Sequence, residues 1–246
     1  MTAWPFLFKQ NPIEGIDLFH PEVLIPQWNE TYAALPIGKI MEHRFHDALL
    51  ASRRYELVSH GLQIQGEDRT LGELDFLIRD LEDRQVWHIE FVYKFYIYRQ
   101  ELGSDRYDPW IGPGLKDRLI YKLDKLTRQQ FPILHSTECR TLLEPLGLDV
   151  DRIKQGLAFC AELFLPLAID EIPEGLDTRC IQGRWYDEGH EPESYSILDR
   201  KSDWIRPLSI QSNQGQTKSI EESLLEKGHV MIREESGQKS FILQNQ

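Results

Sequence analysis

Two stretches of the chain carry the residue pattern of neighbouring β-strands, Gly72-Glu73-Leu74-Asp75-Phe76-Leu77-Ile78 and Val86-Trp87-His88-Ile89-Glu90-Phe91-Val92-Tyr93-Lys94-Phe95-Tyr96. Aliphatic, aromatic and β-branched residues dominate both, and the polar connector 79–85 between them reads as a hairpin loop. Upstream, Ile40, Met41, Phe45, Ala48 and Leu49 recur at helical spacing, which predicts a helix over residues 38–53. A strand follows over residues 55–65, closed by a turn at Gly66-Glu67-Asp68. After a Gly- and Pro-punctuated loop over residues 99–114, the stripe Leu115, Leu119, Leu123 and Leu126 predicts a second helix over residues 115–130. Residues 155–165 read as another buried strand.

The flanks are less regular. Pro5, Pro12, Pro21 and Pro26 among scattered aromatics suit an irregular arm over residues 1–35, packed on a body of residues 36–208. Residues 209–246 read as a polar, Ser- and Gln-rich linker followed by a tail in which His229–Ile232 and Ser240–Leu243 pair as a hairpin.

Within the two central strands, Asp75, Glu90 and Lys94 are out of keeping with their apolar neighbours. Side chains alternate between faces, so His88, Glu90, Val92 and Lys94 share one face while Ile89, Phe91, Tyr93 and Phe95 share the other. Two carboxylates and a lysine on adjacent apolar strands cost free energy unless something offsets their desolvation, and a divalent metal would do so. Glu73 shares the face of Asp75 and is an alternative carboxylate, and His88 is a partner within reach of Glu90. Glu42 falls near the start of the first helix, where an acid also favours the positive helix end. His43 and His46, one turn apart, read as exposed helical histidines. The basic residues of the second helix, Lys116, Arg118 and Lys122 among them, suit either a solvated face or contacts to a phosphate backbone.

This constellation resembles the PD-(D/E)xK nuclease-like superfamily, in which an acid on one hairpin strand and an acid plus a lysine on the next hold magnesium beside a scissile phosphate. Asp75 matches the first acid, Glu90 the second, Lys94 the lysine and Glu42 the helix glutamate. The closer resemblance is to an uncharacterised bacterial family in that superfamily, domain of unknown function 1853. Its marks, all between about residue 36 and residue 130, are the Gly38-Lys39-Ile40-Met41-Glu42 helix start, the Gly72–Phe76 strand, the pattern Trp87-His88-x-Glu90-x-x-x-Lys94-Phe95-Tyr96, and Gly112-Pro113 followed by a basic helix. The resemblance implies an α/β, restriction-endonuclease-like core of order α-β-β-β-α-β, a mixed sheet flanked by helices, with the N-terminal arm and C-terminal extension added. It further implies Mg²⁺ or Mn²⁺ held by Asp75, Glu90 and Glu42, catalysis by these three with Lys94, and hydrolysis of phosphodiester bonds in DNA or RNA. The alternative is an inert scaffold that binds nucleic acid or a protein partner. One departure from the superfamily stands out: its usual spacing is Glu-x-Lys, but position 92 is Val, so the Cα of Lys94 lies roughly 6.6 Å further along its strand than the lysine of the standard motif.

The net charge of −12 opposes a large nucleic-acid footprint, which depends on neutralising phosphates. The acidity lies mostly outside the motif region, however, since residues 36–130 carry 15 Lys and Arg against 16 Asp and Glu. Cys139, Cys160 and Cys180 are odd in number and widely spaced with no Cys-x-x-Cys, so they suggest neither a disulfide framework nor a zinc site and suit free thiols in a reducing compartment. No run approaches the roughly 18 apolar residues of a membrane span, and the N-terminus lacks a signal-peptide pattern, so a cytoplasmic protein with no membrane partner is expected. Phosphate-loop, nucleophile-elbow and His-Glu-x-x-His signatures are absent.

Overall fold

The long strands form where the sequence alternates, and their register decides which side chains meet. In antiparallel pairing, β2 (Tyr55–Gln65) lies against β3 (Thr70–Asp80), and β3 against β4 (Val86–Tyr98). The second pairing runs from Arg79↔Val86 to Phe76↔Ile89. The computed structural model describes residues 3–206 and 219–245, so most of the expected linker lies outside the described residues. Across them the chain is mixed α/β, with ten strands, four α-helices and both parallel and antiparallel pairing.

The chain divides into two compact units. The first comprises the described residues up to Pro26, Met41–Tyr93 and Tyr121–Cys160. Its sheet runs β2-β3-β4-β6, where β6 is Lys154–Leu165, with the short β1 (Asp17–Leu18) parallel to β6. Most of helix α1 (Ile37–Ala51) belongs here and packs its apolar stripe on one face of the sheet. Phe45 stacks on Phe91 with centroids 4.5 Å apart and meets Phe76 edge-on at 5.3 Å. The N-terminal arm is part of this core: Trp4, Leu7, Phe8 and Phe19 are buried, and Trp4 contacts both Phe45 and Phe91 edge-on. Each such aromatic removes enough apolar surface from water to contribute on the order of 2–3 kcal/mol. Against the other face, Leu77 packs with Leu134, Cys139, Leu143 and Val150, brought there by residues 126–135, by α3 (Thr137–Leu143) and by the short turn Val150–Arg152.

The second unit comprises Gln27–Ile40, Lys94–Ile120 and the described residues from Ala161 onward. There β7 (Ile181–Asp187) pairs in parallel with the end of β6 and with β10 (Lys239–Leu243). Antiparallel to β10 runs β9 (His229–Glu234), followed by β8 (Tyr195–Ile197), while β5 (Trp110–Ile111) pairs with the end of β4. The β9–β10 hairpin follows α4 (Ile220–Lys227), which Ser219 and Glu222 start with a reciprocal capping box and Gly228 ends in a left-handed turn. Phe95, Phe164, Trp204 and Phe241 form this unit's aromatic core. Beneath it, buried Glu162 pairs with Lys239.

Chain order places α1, β2, β3, β4, α2 (Leu119–Lys125) and β6 in the expected α-β-β-β-α-β sequence, with β5 and α3 inserted. The second helix begins later than its leucine stripe predicts. Gly112 N–H bonds the Asp117 carbonyl and Leu115 takes φ of 56°, so residues 112–117 form a turn and helix starts only at Leu119. It then passes into a π-helical turn at Leu126–Gln130. Among the described residues, no helix is long and apolar enough to cross a membrane.

Candidate metal and phosphate site

The site lies where the β3–β4 ladder stops. Because Phe76 pairs with Ile89, one further step would set Asp75 opposite Glu90, but the described ladder ends before it. Instead, the Phe91 N–H donates to Asp75 Oδ2 at 3.0 Å, so a side chain takes over where the neighbouring strand's backbone would otherwise bond. Like charges facing each other across a strand pair are unfavourable. Here the cost is visible: burial, then the charge of Glu90, then that of Glu42, push the Asp75 carboxyl up to about 8, against the lowering effects of the Phe91 bond and Lys122.

Glu90 is fully buried and held at both oxygens. His88, two residues back on the same face, approaches Oε1 with Nε2 at 2.9 Å, and Gln130 Nε2 donates to Oε2 at 2.5 Å. Gln155 Nε2 donates to the Phe131 carbonyl at 2.8 Å and faces His88 Nδ1 at 3.1 Å. An amide nitrogen only donates, so Nδ1 is the acceptor and Nε2 carries the proton offered to Glu90. The Glu90 carboxylate is thus fixed in orientation by a chain of donors that starts at a main-chain carbonyl.

Glu42 comes from the opposite direction. It sits in the second turn of α1, past the positive helix end, and its Oε1 lies 3.1 Å from Nε2 of His60. His60 pairs with Phe76 across β2 and β3 and stacks on its ring, which places it on the α1 face of the sheet. Burial pushes the His60 imidazole down despite the Glu42 contact. His43 and His46 are half-buried instead of exposed, with their rings 6.1 and 4.9 Å from that of His60. Asp75 therefore feels carboxylates from both sides, Glu90 on the face of the π-turn and Glu42 on the face of α1.

The other sequence candidates fall as follows. Lys94 lies in the second unit, where its ammonium pairs with Asp117. Lys122, on α2, donates to Gln130 Oε1 at 2.7 Å, and its charge reaches Asp75. Glu73 stands opposite Gln63 on β2, with its carboxylate over Gly61. Arg118 braces a loop of the second unit by donating to the carbonyls of Leu102 and Asp108, at 3.2 and 2.8 Å, while Lys116 is exposed. Gln130, Gln155 and His60 were missed by sequence reasoning. None belongs to a motif.

Among the described residues, no three or more His, Cys, Asp or Glu side chains converge as a ready-made metal cage. Mg²⁺ does not require one, because it keeps several waters and binds through one or two carboxylates plus substrate phosphate. Asp75 and Glu90 are a donor pair of that kind, and the Asp75 carboxyl, raised first by burial and then by the charges of Glu90 and Glu42, is one whose ionised form a cation would favour. The donor chemistry fits Mg²⁺ or Mn²⁺, with Asp75 and Glu90 as the pair that would hold it, while Glu42 approaches from the α1 side.

Neither a comparison with curated proteins nor one with solved structures found a match. A family model described as "Domain of unknown function (DUF1853)" matches residues 19–235, most of the chain and all of the site, and the protein belongs to that family.

Proposed function

We propose that the protein hydrolyses phosphodiester bonds of DNA or RNA with Mg²⁺ or Mn²⁺ held at Asp75 and Glu90, on a restriction-endonuclease-like core of the PD-(D/E)xK type. The observation that carries this reading is the Asp75–Glu90 pair at the end of the β3–β4 ladder, with Asp75 pushed up to about 8 by burial and by the surrounding carboxylates. Such a cluster is unfavourable in the empty protein and is relieved by a divalent cation, which is how metal-assisted phosphoryl chemistry is commonly built. When bound, the metal supplies Lewis-acid polarisation of a phosphate oxygen and a more acidic water.

The chain's own residues do the rest. His88 and Gln130 hold Glu90 in one orientation, so its oxygens need no reorganisation when a ligand arrives. The Phe91 N–H fixes one oxygen of Asp75, whose carboxyl feels the charge of Glu90. Glu42, set by His60, adds negative charge from the α1 side and favours cation binding without having to touch the metal. Cys139, Cys160 and Cys180 are buried free thiols, which suits a reducing cytoplasm.

The inert-scaffold reading, in which the same fold binds nucleic acid or a protein partner, is favoured by one observation. The Lys94 ammonium, the motif lysine by resemblance, is engaged by Asp117. The two readings separate in one assay: incubation with Mg²⁺ or Mn²⁺ at low ionic strength and a panel of single-stranded, duplex and structured DNA and RNA. Cleavage lost in Asp75→Ala and Glu90→Ala supports the nuclease. Binding of any of these substrates without cleavage, with the metal bound, supports the scaffold.

A further inference from the structure

We propose that Lys122, braced by Gln130 from a π-helical turn, is the cation of this site and contacts the substrate phosphate, the role that the sequence pattern gives to Lys94. The inference rests on the nuclease reading above and identifies which side chain completes it.

Geometry is the first support. Lys122 Nζ donates to Gln130 Oε1 at 2.7 Å, and Gln130 Nε2 donates to Glu90 Oε2 at 2.5 Å. The amide is therefore oriented by a cation at one end and a carboxylate at the other, and it ties Lys122 to the acid that would hold the metal.

The π-turn explains how the tether is possible. In an uninterrupted α-helix, positions eight apart lie about 80° from one another round the axis, so Lys122 and Gln130 would diverge. The Leu126–Gln130 segment bonds with π spacing, closed by the Phe131 N–H to the Leu126 carbonyl. A turn of 3.6 residues plus a π-turn about one residue longer comes to about 8, which brings the two side chains onto one side. π-Turns recur at functional sites, and here the feature has a specific product, the Lys122–Gln130–Glu90 chain. Lys122 is half-buried, and its charge is felt at Asp75. Lys94, in contrast, is neutralised by Asp117. A lysine stem is long enough to serve phosphate from a helix as well as from a strand, so the cation can change element while the carboxylates stay on β3 and β4.

The test uses the full chain, with Mn²⁺ alone as the binding probe and bis(p-nitrophenyl) phosphate as a sequence-independent substrate. A cation beside the carboxylates competes with the metal, so Lys122→Met tightens Mn²⁺ binding about tenfold by calorimetry, and Lys122→Arg leaves it near wild type. The same Lys122→Met change lowers kcat about 100-fold, as loss of one transition-state donor does, and Lys122→Arg recovers part of it. Gln130→Met, which removes the brace on Lys122 together with one donor to Glu90, lowers kcat about tenfold, and Gln130→Glu, which keeps an acceptor for Lys122 but offers Glu90 no amide donor, separates the two effects. Unchanged Mn²⁺ affinity and rate in Lys122→Met would overturn the assignment while leaving the nuclease reading standing. So would a loss of rate found in Lys94→Met but not in Lys122→Met. A wild-type chain that neither binds Mn²⁺ nor hydrolyses the ester overturns the nuclease reading itself, and the role of Lys122 with it.

Discussion

Asp75→Asn isolates the electrostatic tension of the site, because asparagine can still accept the Phe91 N–H through its carbonyl while presenting an NH₂ donor to Glu90. In the wild type, Asp75 titrates near 8 in place of its ordinary 3.8, chiefly through burial and the charge of Glu90. An acid whose folded pKa lies above its unfolded one holds its proton more tightly in the native state. That contribution is complete below pH 3.8 and is lost as pH rises through about 8. At about 1.4 kcal/mol per pH unit, the full interval corresponds to roughly 5–6 kcal/mol. Relaxation of the surroundings and entry of water reduce this to about 2–3 kcal/mol in practice. Asparagine has no such term, so the stability difference between Asp75→Asn and wild type should grow by about 2–3 kcal/mol in favour of the variant between pH 5 and pH 9. Urea unfolding in the presence of a chelator, at half-unit pH steps, measures it. A difference that is flat with pH, or a variant less stable than wild type at pH 9, would refute the argument that Asp75 is strained by neighbouring carboxylates.

Further outcomes follow from the same geometry. Manganese at about ten times its Kd should stabilise the wild type by about 1.4 kcal/mol, a rise in melting temperature of roughly 3–5 °C, and Asp75→Asn should lose most of that rise in a thermal-shift assay. His88→Ala leaves the fully buried Glu90 short of one donor and opens a cavity, so urea unfolding should report a loss of about 3 kcal/mol. In the second unit, a Cβ at Gly183 would stand 1.6 Å from the Lys239 carbonyl oxygen, a backbone atom of the paired strand β10. Gly183→Ala should therefore cost about 3 kcal/mol or more, or prevent soluble expression, whereas Gly189→Ala, with nothing within 4 Å, should cost far less even at its positive φ.

The carboxylate pair was legible in the sequence because it interrupts two apolar strands, and strand parity alone puts His88 and Glu90 on one face. The first helix was legible from its apolar periodicity, and the hairpin of β9 and β10 from two apolar runs flanking Glu234-Glu235-Ser236-Gly237. The rest depends on contacts that local pattern does not carry. Lys94 meets Asp117 across 23 residues, from a turn that the leucine stripe disguised as helix. A π-turn adds one residue to a helix without altering its apolar face, so the direction of Gln130 could not be read from the stripe. His60 is an ordinary polar residue of an 11-residue strand until the β2–β3 register sets it beside Phe76 and brings Glu42 to it. The stretch read as an irregular arm buries Trp4, Leu7, Phe8 and Phe19 and adds β1 beside β6.

Crystals soaked in Mn²⁺ and measured at the manganese absorption edge test the central claim most directly. The account predicts one anomalous peak between the carboxylates of Asp75 and Glu90 in the wild type, with Lys122 and Gln130 still bridged beside it, and no such peak in Asp75→Asn. A peak seated on His43, His46 and His60, or none at millimolar Mn²⁺, would contradict it.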